Sequence, residues 1–143
     1  MKNNVEPKSR IAIVEDHLLQ RARTEEILGG VAGHEVVFSG ETLPEFVAWS
    51  ATTPRERLPH LLVLDLMVDR QPSASPAQVA ALVSAGLTVL VLSAMASPSL
   101  VRQIVQAGGS GVVGKRDSEQ DILAAVAAAL RGETWMTVEL ASV

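Results

Sequence analysis

With 143 residues, 48% of them hydrophobic and only 3% aromatic, the chain can bury one domain-sized core built from Val, Leu, Ile and Ala. The absence of cysteine excludes disulfides and thiolate metal sites, and a net charge of −4 argues against nucleic-acid binding by this segment itself. Pro, Gly, Ser or charge interrupts every apolar run short of a membrane span, and the polar stretch 1–10 lacks the apolar core of a secretory signal, so a cytoplasmic domain is expected.

In chain order, Ile11-Ala12-Ile13-Val14 is a short apolar run that ends on Glu15 and Asp16. That pattern predicts a strand over 10–14 buried on both faces, as in a parallel sheet. A helix follows over 17–28, with Leu19, Ile27 and Leu28 inward, Arg23 and Glu26 interrupting, and Gly29-Gly30 closing it. His17 at its start is expected to face solvent. A strand over 34–38 and a helix over 41–51 come next, with His34 and His60 ahead of strands at the opposite edge. Leu61-Leu62-Val63-Leu64 repeats the first pattern and ends on Asp65, giving a strand over 60–65. Residues 70–76 (RQPSASP) form the longest stretch without periodicity and predict a mobile loop beside Asp65.

A helix over 76–85 leads to a strand over 87–92, after which Ser93 stands at the strand end. Ser97-Pro98 supplies an N-cap hydroxyl and a first-turn proline for a helix over 97–107, which Gly108-Gly109 closes. The last strand, 111–113, runs into Gly114-Lys115. The last helix, 118–131, has Asp117 and Gln120 in the spacing of a capping box and Gly132 as a stop. Ile122, Val126 and Leu130, flanked by Leu123 and Ala127, form its apolar stripe. The expected organisation is a polar tail over 1–9, a domain over 10–131 and a tail or linker start over 132–143, with Trp135 folding back on the last helix.

Five βα units imply a doubly wound parallel sheet with right-handed crossovers, whose ligand crevice lies beyond the carboxyl ends of the strands. Glu15, Asp16, Asp65, Ser93 and Lys115 all fall at that edge. Taken singly, a strand-end Asp is a turn residue, Ser93 a turn hydroxyl and Lys115 a surface cation. Together they comprise a carboxylate nucleophile, an acidic pair, a hydroxyl donor and an ammonium, the parts for moving a phosphoryl group onto Asp65. Clustered carboxylates call for a cation, and oxygen ligands favour Mg2+. The run GSGVVGK at 109–115 imitates two phosphate-binding loops, but a helix rather than a strand precedes it and Arg116 stands in the Ser/Thr position.

The segments IAIVEDH, LLVLDLM, VLVLSA and AGGSGVVGK resemble, in order and spacing, the receiver domain of bacterial two-component response regulators. The resemblance implies the flavodoxin-like (βα)5 fold with strand order 2-1-3-4-5. It implies Asp65 as phosphoacceptor, Glu15, Asp16, Asp65 and the backbone carbonyl of Met67 as Mg2+ ligands, Ser93 as switch hydroxyl and Lys115 as the phosphate contact. The domain would be a regulatory switch that catalyses its own phosphoryl transfer and slow dephosphorylation, not a metabolic enzyme. Its partners would be a sensor histidine kinase and, as a homodimer, a second copy; no membrane is implied. The EDH start and the LRGETWMTVELA close resemble the subfamily with a LuxR-type helix-turn-helix, so transcription is the implied output, through a DNA-binding domain absent from this chain.

Three positions depart from that family. Val112 stands where an aromatic residue is usual, Asp69 where proline is usual, and Arg116 where a proline often follows the lysine. Val112 is too compact to swing a ring into space vacated by Ser93, so a differently routed switch is expected. Two other readings compete. One is a degenerate receiver acting as a phosphorylation-independent interaction module. The other is a haloacid-dehalogenase-type phosphatase, against which Met67 replaces the acid–base Asp two residues after the nucleophile, and the paired acids come first in the chain instead of late.

Overall fold

The computed structural model describes residues 7–65, 75–94 and 97–135, and the backbone of 67–68 and 71–72. Five strands, β1 (Ser9–Val14), β2 (His34–Gly40), β3 (Leu61–Asp65), β4 (Thr88–Ser93) and β5 (Val112–Gly114), pair in parallel in the order 2-1-3-4-5. Helices α1 (Leu18–Gly29), α2 (Leu43–Ala51), α3 (Pro76–Ser84), α4 (Pro98–Gln106) and α5 (Glu119–Leu130) alternate with them. Every expected strand and helix is present, and the fold is the doubly wound sheet. No helix among the described residues is long and apolar enough to cross a membrane.

Strand side chains alternate between faces, so each apolar run feeds two cores. Ala12, Val14, Leu62, Leu64, Val89, Val91 and Val112 pack against α2, α3 and α4 through Phe46, Val79, Val101 and Ile104. Ile11, Ile13, Leu61, Val63, Leu90, Leu92 and Val113 pack against α1 and α5 through Leu28, Ile122, Val126 and Ala129. Burial on both faces leaves the strand ends as the place where polar chemistry meets solvent.

Three local expectations are corrected. Leu19 is 86% exposed, because the inward stripe of α1 is Thr24, Ile27 and Leu28. Leu19 lies five positions before Thr24, about 140° round the helix. Arg23, expected only to interrupt the apolar face, spans to the turn between β5 and α5, donating to the carbonyls of Lys115 and Asp117 at 3.3 Å each. The cap of α5 is Ser118, whose hydroxyl accepts the Asp121 N–H at 3.1 Å, while Asp117 accepts the Gly114 N–H at 3.0 Å. Ser118→Ala is therefore expected to cost about 1 kcal/mol, read from the urea midpoint, with Asp117 unable to take over the cap.

Within the stretch expected to be a loop, Gln71–Pro72 pairs antiparallel with Met67–Val68. Ser75 then caps α3 in a reciprocal box with Gln78, a signal the sequence carried as Ser75-Pro76-Ala77-Gln78. Trp135 does fold back: its indole packs on the α1–α5 core, and its backbone N–H donates to the Ser110 carbonyl at 2.7 Å. Gly111 lies against it at φ +137°, where a Cβ would collide with the Trp135 carbonyl oxygen.

Candidate functional site

Strand register brings the polar residues together. Glu15 follows β1 directly and continues its pairing, donating its N–H to the Gly40 carbonyl at 2.9 Å. Its own carbonyl accepts from the Arg21 guanidinium at 2.9 Å, which fixes the turn into α1. Asp65 ends β3 opposite Leu92, so Ser93 sits one residue further along β4. Lys115 follows β5 and donates its N–H to the Ser93 carbonyl at 2.9 Å. Glu15, Asp65 and Ser93 are all buried.

The Lys115 ammonium is the hub. It lies 3.0 Å from Glu15 Oε1 and 3.1 Å from Asp65 Oδ2, with only 12% of its side chain exposed. Burial pushes the Asp65 carboxyl up to about 7, helped by the hydrogen bond and the charge of Glu15, against the pull of Lys115. Burial alone would lower Lys115, but its hydrogen bonds to Glu15 and Asp65 outweigh that and hold it above the ordinary lysine value. Among the described residues, the Lys115 ammonium thus serves both buried carboxylates, and Asp65 is the one whose carboxyl is raised.

Two further groups adjoin this trio. Asp16 is partly exposed, and His17 Nδ1 stands 3.2 Å from both Asp16 Oδ1 and Glu15 Oε2. Donor atoms of Glu15, Asp16, His17 and Asp65 all lie within 4.8 Å of one another. Glu15 Oε1 and Asp16 Oδ1 are buried, the first facing Lys115 and the second His17, and as carboxylate oxygens each can turn a lone pair to a cation. This donor set fits a divalent ion, its three carboxylates being the hard oxygens that Mg2+ prefers.

UhpA of Salmonella typhimurium, a transcriptional regulatory protein, is 28% identical over 131 residues, 92% of this chain. The chain spans 63% of the length of that relative. The solved signal receiver domain of NarL from Mycobacterium tuberculosis is 27% identical with a TM-score of 0.75, covering 90% of this chain and 100% of that one. This chain resembles response-regulator receiver domains in sequence and in fold. A LuxR-family two-component response regulator from Aurantimonas shares the fold at a TM-score of 0.80 and 21% identity, with 94% of each chain covered. No family model matches the chain.

Of the remaining candidates, His34, His60 and the glycine-rich run lie away from this cluster. Met67 opens the short ribbon, of which the backbone path alone is described, and Asp69, Met95 and Met136 lie outside the described residues. His34 Nδ1 faces the Leu28 carbonyl at 3.2 Å, and His60 Nδ1 accepts the Arg10 N–H at 2.9 Å, so both serve the far edge of the sheet. The GSGVVGK run follows α4, and its Gly109 packs on Ile104 and Val79 instead of opening a phosphate-binding turn.

Sequence reasoning missed two contacts. The expectation for Lys115 is a phosphoryl contact alone, whereas it also neutralises Glu15 across 100 residues of chain. His17 is 64% exposed, in line with the expectation, yet its ring turns one nitrogen onto the acidic pair. Its place two residues after Glu15 at the N-cap of α1 was the available signal.

Proposed function

We propose that this chain is the phosphoacceptor receiver of a bacterial two-component response regulator, with Asp65 as the phosphorylated residue. The observation that supports this most is the Lys115 ammonium lying within 3.1 Å of both Asp65 and Glu15 at the carboxyl edge of the sheet. A carboxylate nucleophile held against an ammonium, beside spare oxygen donors, suits in-line phosphoryl transfer better than a structural role. An Asp65 oxygen bonds to phosphorus as the bond from phosphorus to the imidazole nitrogen of a kinase phosphohistidine breaks, and the imidazole leaves with a proton from solvent.

Glu15, Asp16, Asp65 and the Met67 carbonyl would hold the Mg2+. When bound, that ion supplies positive charge that keeps Asp65 ionised and neutralises phosphoryl oxygens. Lys115 would move from two carboxylates to the phosphoryl oxygens, and Ser93 would donate to them. Slow hydrolysis returns the carboxylate, so the domain acts as a switch. In this reading the partner is a sensor histidine kinase and the compartment the cytoplasm. A transcriptional output would act through a DNA-binding domain outside this chain, with dimerisation as one way to transmit the change.

A population change from about 1:99 to 99:1 needs roughly 5.5 kcal/mol. A charge-assisted hydrogen bond supplies about 1.5–3 kcal/mol, so Ser93 alone is insufficient. Val112 is buried in the α4-side core and offers no ring to swing. The change is therefore expected to run through Lys115 and the segment 94–108. Beryllofluoride should alter amide protection across 94–115; changes confined to Asp65 and its neighbours would contradict this route.

The proposal is tested by incubating the protein with acetyl phosphate and Mg2+ and recording intact mass. A single adduct is expected, lost in excess chelator and in Asp16→Ala while the far-ultraviolet circular dichroism stays unchanged. Full adduct formation in chelator would remove the metal assignment. Absence of any adduct would favour the phosphorylation-independent interaction module.

A further inference from the structure

The acidic pocket contains a nitrogen donor that phosphoryl transfer does not use. His17 Nδ1 is 3.2 Å from Glu15 Oε2 and 3.2 Å from Asp16 Oδ1, and a donor atom of Asp65 lies within 4.8 Å of each. We propose that His17 is a metal ligand that sets ion selectivity, so that the pocket takes late first-row divalent ions such as Co2+ and Zn2+ in preference to Mg2+. The inference rests on the metal site proposed above and concerns which ion that site selects.

Three observations carry it. Metal–nitrogen and metal–oxygen bonds near 2.1 Å put neighbouring ligands about 3 Å apart and opposed ligands about 4.2 Å apart. The spacings of 3.2 Å and up to 4.8 Å in this cluster are those distances slightly opened. The ring is also held at the pocket by the backbone: the His17 N–H donates to Glu15 Oε2 at 3.0 Å, so Nδ1 need not search for the site. Finally, the ring is 64% exposed, so the nitrogen that does not face the carboxylates can reach water while Nδ1 faces the pocket.

The chemistry then discriminates between ions. Imidazole binds Co2+, Ni2+ and Zn2+ well, whereas Mg2+ prefers oxygen and water. Losing His17 should therefore cost the late ions and leave Mg2+ almost untouched. An all-oxygen site would give the same loss for both classes, or none.

The test is isothermal titration of the chelator-treated full chain with CoCl2, ZnCl2 and MgCl2, together with the visible spectrum of the Co2+ form. His17→Ala, His17→Gln and Asp16→Ala are compared with the parent. The expected result is at least a tenfold loss of Co2+ and Zn2+ affinity in His17→Ala, with Mg2+ affinity changed less than about twofold. The Co2+ absorption bands should shift as nitrogen leaves the coordination sphere, and His17→Gln should not restore them. Equal Co2+ affinity and an identical spectrum in the parent and His17→Ala would overturn the role of His17, while Mg2+ binding lost in Asp16→Ala leaves the metal site standing. Binding of none of the three ions by the parent would overturn both.

Discussion

Replacing Lys115 with Met is expected to destabilise the metal-free protein by about 3 kcal/mol at ~pH 8, the low end for removing one partner of a buried ion pair. The ammonium sits 3.0 Å from Glu15 and 3.1 Å from Asp65, both almost fully buried, and they have no other lysine or arginine at ion-pair distance among the described residues. A methionine keeps the packing of the stem but leaves two carboxylates facing each other. Part of the loss is relieved by a proton on Asp65, which places the effect near the low end. Urea denaturation with and without Mg2+ separates charge from packing. Millimolar Mg2+ should recover most of the loss in Lys115→Met, because the ion replaces the missing positive charge. A loss that Mg2+ leaves unchanged would mean that Lys115 acts by packing.

The second large effect is on the pH dependence of stability. Asp65 is raised from 3.8 to about 7, so between those values the folded protein binds a proton that the unfolded chain has released. Stability from this group is complete below about pH 4 and is lost as pH rises through about 7, a span on the order of 2–4 kcal/mol before structural relaxation. This is opposite in sign to an aspartate whose ion pair outweighs its burial. Asp65→Asn should remove that slope, raise metal-free stability at ~pH 8 and flatten the urea midpoint between ~pH 5 and 8. Mg2+ should flatten the profile of the parent by favouring ionised Asp65. A metal-free parent whose stability does not fall from ~pH 5 to 8 relative to the variant's would contradict the arrangement.

Much of this was legible in the sequence because the apolar runs are short and end on charge. Ile11-Ala12-Ile13-Val14 before Glu15, and Leu61-Leu62-Val63-Leu64 before Asp65, mark both a two-faced strand and the edge where it stops. What the sequence left unread has local causes. Leu19 looks like a core residue by type, but only the phase set by Thr24, Ile27 and Leu28 shows that it faces out. The cap of α5 turned on one residue, Ser118 over Asp117, because both are good caps and Asp117 was drawn to the Gly114 N–H. Pairing of Glu15 with Lys115 spans 100 residues, and although the sheet order was expected, no local pattern says which carboxylates the ammonium will reach.

Whether Asp65 accepts a phosphoryl group is the question on which the functional account turns. The most direct measurement is intact mass with peptide mapping after incubation with acetyl phosphate and Mg2+, comparing the parent with Asp65→Asn. The account predicts one adduct in the parent, mapped to the peptide containing Asp65, and none in the variant. An undiminished adduct in Asp65→Asn, or a parent that stays unmodified with every phosphodonor at saturating Mg2+, would contradict it.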